Sequence, residues 1–118
     1  MAVELTNEEK MVKCAVDAIL DKMGYNVCSL NVGKVTSITD YFVIASGSNK
    51  SQLDAIIDSV EEAMRNEGYE LKNREGRSTG EWVLLDYNEV VVHIFSSEMR
   101  EFYNLDNSWR DVERITYN

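Results

Sequence analysis

Two short β-favouring runs separated by three turn residues do most to limit the folds open to this chain. Residues 82–86 read Trp-Val-Leu-Leu-Asp and residues 90–95 read Val-Val-Val-His-Ile-Phe, with Tyr87, Asn88 and Glu89 between them. Both runs are rich in β-branched and aromatic residues, so the segment reads as a β-hairpin. Asn88 is the expected pivot, because Asn tolerates the left-handed backbone that a tight hairpin requires. Side chains alternate along a strand. Val83, Leu85, Val90, Val92 and Ile94 therefore form one purely aliphatic face, the natural core side. Trp82, Leu84 and Asp86, with Val91, His93 and Phe95, form the other. Aromatic residues ringed by a few polar ones are the composition of a protein-binding patch.

The rest of the chain supplies layers for that hairpin to pack against. Thr6 and Glu9 have capping-box spacing, and Met11, Cys14, Ala15, Ala18 and Ile19 then repeat with helical period. Val12, Val16 and Leu20 widen the stripe, and Gly24 is placed to end the helix. Residues 27–32 read as a strand. Residues 41–46, Tyr-Phe-Val-Ile-Ala-Ser, are continuously apolar up to the last, as in a central strand covered on both faces. Asn49 and Gln52 cap a second helix whose buried stripe is Leu53, Ile56, Ile57, Val60 and Met64, with Gly68 closing it. A short strand is expected over 69–72, a polar loop over 73–80, a short helix over 97–103 and a polar tail containing Trp109. The strand–helix–strand step requires a crossover. The expected fold is α/β: one compact domain over 1–118, an α-β-β-α-β-β-type sandwich with a mixed sheet.

Composition narrows the function. With 118 residues the chain is long enough to bury a core. Its formal net charge of −9 opposes phosphate-driven binding, so direct nucleic-acid binding is not expected, and a basic protein partner, or no charged partner at all, is easier to accommodate. No stretch has the apolar length of a membrane span, and the acidic N-terminus has no basic leader, which points to the cytoplasm. Cys14 and Cys28 read as small buried hydrophobes, and with one histidine in the chain no metal or cofactor site is expected.

Three features could carry chemistry. Gly47-Ser48 follows a buried strand at a helix start, where a phosphate could sit. Nucleotidyltransferases use such a turn together with two metal-binding carboxylates one residue apart on a neighbouring strand. The D-x-E pair here, Asp111-Val112-Glu113, lies in the tail, and the strand expected to hold it carries Asp86 alone. Gly47-Ser48 therefore reads as a tight strand-to-helix turn, and a nucleotide-binding enzyme drawing on Glu81 and Asp86 is the alternative function. The segment Gly76-Arg-Ser-Thr-Gly80 has Glu81 where a phosphate-binding loop has Lys, and reads as a surface loop. His93 could act as a base oriented by Asp86, but no nucleophile is nominated, and a hydrogen-bonded surface histidine is the plain reading. Phe102 is expected in the core, whereas Trp82 fits a structural role and a surface one equally.

Four stretches carry a family resemblance: residues 40–48 (Asp-Tyr-Phe-Val-Ile-Ala-Ser-Gly-Ser), 80–87 (Gly-Glu-Trp-Val-Leu-Leu-Asp-Tyr), 90–95, and 98–105 (Glu-Met-Arg-Glu-Phe-Tyr-Asn-Leu). In this order they resemble the ribosomal silencing factor family, RsfS, also called iojap-like, over nearly the whole chain. The resemblance implies a nucleotidyltransferase-like fold without catalytic carboxylates, a homodimer and no enzymatic activity. It implies a repressor that binds the fourteenth protein of the large ribosomal subunit and blocks association with the small one, lowering translation when nutrients are short. It places the partner-binding surface at Trp82, Leu84, Asp86, His93, Phe95, Glu98, Arg100 and Tyr103. Alanine at Trp82 or His93 is then expected to remove binding and leave the fold intact. The chain departs from the family pattern at Asn88, where Gly is frequent, at Ser97, where Pro is frequent, and at Ser108, where Leu commonly precedes the Trp.

Overall fold

The computed structural model describes residues 5–76 and 81–117. Its elements run α1 (Asn7–Asp21), β1 (Tyr25–Asn31), β2 (Tyr41–Gly47), α2 (Lys50–Asn66), β3 (Asn73–Gly76), β4 (Trp82–Asp86), β5 (Val90–Ser96), α3 (Ser97–Tyr103), α4 (Leu105–Ser108) and β6 (Glu113–Thr116). Six strands form one sheet in the order β3-β4-β5-β2-β1-β6. The β2–β5 pair is parallel and the other four pairs are antiparallel, so the sheet is mixed as expected. The parallel step is the crossover, and it carries α2, β3 and β4 between its two strands.

Local chemistry explains the helix ends. Thr6 Oγ1 accepts from the Glu9 amide at 3.1 Å, and Glu9 Oε1 accepts from the Thr6 amide at 2.8 Å, completing the capping box. Asn49 Oδ1 accepts from the Gln52 amide at 2.8 Å. Gly68 takes the left-handed conformation (φ 85°) that ends α2. At the end of α1 the expectation is corrected: the left-handed residue is Met23 (φ 65°), and the Gly24 amide reaches back to the Ile19 carbonyl. Gly24 is there for room, since a Cβ would stand 2.4 Å from Ile19 Cγ2.

Helices α1 and α2 lie on one face of the sheet. Their stripes pack with Val27, Val43, Ala45, Val83, Leu85, Val90, Val92 and Ile94 into the main core. The aliphatic hairpin face thus lies where alternation put it, each fully buried Leu, Ile or Val being worth about 1.5–3 kcal/mol. A smaller core on the opposite face gathers Cys28, Leu30, Val32, Ile44 and Phe95, sealed by Phe42, Trp82, Met99, Leu105, Trp109 and Val112. Strand β2, buried from both sides, is central.

Three expectations are corrected at the periphery. Residues 69–72 are not a strand; β3 is the next four residues, all of them from the expected loop, and pairs with β4. The tail holds α4 and the edge strand β6, which pairs with β1. Phe102 is 74% exposed, because Met99 rather than Phe102 turns inward from α3. None of the described helices is long and apolar enough to cross a membrane.

Candidate functional site

The face of the sheet away from α1 and α2 carries the residues singled out above, and strand register sets their places. Trp82 stands opposite Phe95, Leu84 opposite His93, and Asp86 opposite Val91. Asn88 does take the left-handed conformation (φ 77°), and its amide donates to Asp86 Oδ1 at 2.8 Å. That bond sets the turn. It also means that Asp86 serves the hairpin and is not the residue facing His93.

A continuous aromatic layer runs across this face. Trp109 meets Phe42 edge-on at 5.3 Å, and Phe42 meets His93 edge-on at 5.0 Å. His93 stacks on Phe95 at 6.0 Å, and Tyr103 bridges Phe95 and Trp82 at 5.8 and 5.6 Å. Phe102 ends the chain of rings against Tyr103. Edge-to-face and offset contacts of this kind each add about 0.5–1.5 kcal/mol beyond area burial. The layer also shows how the tail docks with Ser108 preceding Trp109. Trp109, Leu105 and Val112 make the apolar contacts, and Ser108 is exposed.

Within the layer, burial separates two groups. Trp82, Leu84 and Asp86 are partly exposed, while Tyr103 and Glu98 are exposed. His93 (7% exposed) and Phe95 (1%) lie beneath them. The plain reading of His93 as a hydrogen-bonded surface residue is therefore corrected. Both its ring nitrogens, and Trp82 Nε1, are buried without a hydrogen-bond partner among the described residues. Burial lowers the His93 pKa to about 4, so the imidazole is neutral at physiological pH. The expectation that alanine at His93 would spare the fold is corrected by the same burial, since removing a packed ring leaves a cavity.

Arg100 is also placed inside the molecule. Its guanidinium grips Asp106 of α4 through Nε and Nη2, both at 3.0 Å, and donates to the Asn26 carbonyl and to Ser46 Oγ. Arg114 of β6 donates to the same carboxylate at 2.8 Å, and Cys28 lies alongside. Hydrogen bonds from Arg100 hold the Asp106 pKa down to about 2. Arg100 thus fastens α3, α4 and β6 to the ends of β1 and β2, and its donors are spent there. Sequence reasoning missed this network, whose parts are far apart in the chain. Both cysteines are free, and burial raises both thiol pKa values.

The nucleotide alternative meets a geometric obstacle. Gly47 pairs with Ser96 at one end of the sheet, whereas Glu113 pairs with Asn31, which pairs in turn with Tyr41 at the other. The six intervening steps of strand put the Asp111/Glu113 pair ~20 Å from the Gly47-Ser48 turn. Glu81 and Asp86 flank the two ends of β4, with the Glu81 carbonyl held by the Ser96 amide at 2.8 Å. Gly47 itself makes room for α2, since a Cβ would meet Leu53 Cδ2 at 2.8 Å. The amides of Ser48 and Gln52 are already satisfied by Gln52 Oε1 and Asn49 Oδ1. Of the segment 76–80, residues 77–80 lie outside the described residues. Gly76 ends β3, where a Cβ would stand 2.6 Å from the Trp82 carbonyl oxygen.

Comparison with known proteins agrees with the resemblance. The family model described as ribosomal silencing factor during starvation matches residues 5–118. A ribosomal silencing factor RsfS of Halalkalibacterium halodurans is 34% identical over 111 residues, 94% of either chain. The mouse protein named mitochondrial assembly of ribosomal large subunit protein 1 is 30% identical over 91 residues, 71% of this chain and 38% of that one. Among solved structures, a crystal structure of a Chromobacterium violaceum protein superposes with a TM-score of 0.85 at 30% identity, covering 89% of this chain and 88% of that one.

Proposed function

The chain belongs to the ribosomal silencing factor family, and from that membership we propose that it represses translation by occupying the large ribosomal subunit so that the small subunit cannot join. The partner is one protein of the large subunit, the fourteenth of its series, and the repressor acts in the cytoplasm as a homodimer of single-domain chains. The name of the mouse relative, with its reference to assembly of the large subunit, supports that choice of subunit.

The observation that carries this reading is the partly exposed row Trp82, Leu84 and Asp86 beside Tyr103, backed by the buried rings of His93 and Phe95. Aromatic and apolar area left partly exposed beside a few polar groups is what a protein interface covers. Trp and Tyr are also the side chains enriched at interface hot spots. Phe95 and His93 act as the floor that holds Trp82 and Tyr103 in place, and Glu98 lies at the rim. Arg100 contributes by fixing α3. Repression is steric and needs no catalysis. A net charge of −9 adds repulsion toward the RNA of the approaching small subunit.

Co-sedimentation with purified large subunits tests the site. Trp82→Ala is expected to lose binding while keeping the wild-type circular dichroism spectrum. Unchanged binding by that variant would remove this face from the account. Calorimetry with nucleoside triphosphates and Mg²⁺ tests the enzymatic alternative, and a heat of binding would revive it.

A further inference from the structure

Strand β3 brings to the aromatic face a residue that no motif singled out. Its register with β4 sets Glu75 opposite Leu84 and Asn73 opposite Asp86, so Glu75 and Asn73 share the face of Leu84, Asp86 and Trp82. Leu84 in turn stands opposite His93. One cross-strand row therefore runs Glu75, Leu84, His93. Glu75 is exposed, and its side chain makes no hydrogen bond or ion pair among the described residues. The cation of the same strand is turned away: Arg74 faces α2 and pairs with Glu61 at 2.7 Å.

We propose that Glu75 belongs to the docking surface and that, with Asp86 on the other side of Leu84, it takes one lysine or arginine side chain of the ribosomal partner. This rests on the reading that the face docks on a protein of the large subunit. Glu75 and Asp86 are diagonal neighbours about 7–8 Å apart, a gap that one ammonium or guanidinium spans. Asp86 keeps Oδ2 for this purpose, its Oδ1 being held by the Asn88 amide. Half-buried Leu84 is the apolar floor on which the aliphatic stem of a long cationic side chain lies. Behind it stands the unpartnered imidazole of His93. Trp82 is then the aromatic anchor, and the two carboxylates select a basic partner and set the register of docking.

The test is co-sedimentation of Glu75→Gln, Glu75→Lys, Trp82→Ala and a distant charge control, Glu62→Lys on α2, with purified large subunits over a range of salt. Glu75→Gln is nearly isosteric on an exposed edge strand, and circular dichroism confirms that it is folded. It is expected to weaken binding roughly three- to tenfold at low salt and to flatten the salt dependence. Glu75→Lys should weaken binding by more than tenfold, and Glu62→Lys should match wild type. Loss of binding in Trp82→Ala with no change in either Glu75 variant overturns the proposal and leaves the docking face standing. Equal weakening by Glu62→Lys and Glu75→Lys also overturns it, by reducing the effect to net charge. If Trp82→Ala too binds as wild type, the docking face itself is wrong and the proposal falls with it.

Discussion

Arg100 and Asp106 are joined by a two-pronged ion pair, Nε to Oδ2 and Nη2 to Oδ1, each at 3.0 Å. The side chains are 12% and 25% exposed, so water screens the pair far less than it does the pairs along α1 and α2. Asp106→Asn should cost about 3 kcal/mol, because it leaves a largely buried guanidinium without its counter-charge. The corresponding fall in Tm is on the order of 10 °C. Asp106 has a folded pKa below its ordinary value of 3.8, at about 2. Its contribution is therefore present above pH 4 and is lost as pH falls through 2. Thermal melts of wild type and Asp106→Asn at pH 7 check the cost, and melts at pH 2 should show the difference shrinking.

His93 gives a second pH dependence in a different window. Its folded pKa, about 4, lies below the ordinary value of 6.5, so the unfolded chain takes up the proton first as pH falls. Stability is fully present above pH 6.5, declines between 6.5 and 4, and levels below that, a loss of roughly 3 kcal/mol. His93→Gln does not titrate there. Whatever its absolute cost, its denaturation midpoint should change less than wild type between pH 7 and pH 4.5. Equal slopes would contradict the burial of a neutral imidazole.

The two faces of α3 predict unequal costs of truncation. Phe95, fully buried beneath α3, should cost about 4 kcal/mol as Phe95→Ala. Phe102, largely exposed and in edge contact with Tyr103, should stay within about 0.5 kcal/mol of wild type as Phe102→Ala. Urea titrations of the two variants decide this.

The end of α1 offers a paired test of backbone and packing. Met23 is 76% exposed and left-handed, so Met23→Gly should stabilise by roughly 0.5–1 kcal/mol once the added freedom of the unfolded chain is subtracted. Gly24→Ala should destabilise by about 1–3 kcal/mol, because its methyl group meets Ile19. Thermal melts should move in opposite directions.

These cases also show what the sequence made legible. The capping box at Thr6, the apolar run of β2, the stripe of α2 and the aliphatic hairpin face are local patterns, and each led to the right element. The edge strands left no such trace. All four residues of β3 and all four of β6 are exposed, so no apolar alternation marks them, and they exist through pairing with β4 and β1. Helix α3 has seven residues, too few for a period to show which of Met99 and Phe102 turns inward. The site was half legible. Alternation put Trp82, Leu84, Asp86, His93 and Phe95 on one face, but not the depth at which each lies, because α3 and α4 cover part of that face. Arg100 and Glu75 depend on long-range register, which no local pattern encodes.

By the proposed function, the Trp82 face holds the protein on the large subunit and thereby keeps the small subunit away. Co-sedimentation with separated large and small subunits, followed by addition of the missing subunit, tests it most directly. Wild type is expected to sediment with the large subunit alone and to reduce the yield of joined ribosomes, and Trp82→Ala to do neither. Wild-type protein that sediments with neither subunit, or that leaves joining unchanged while bound, would contradict it.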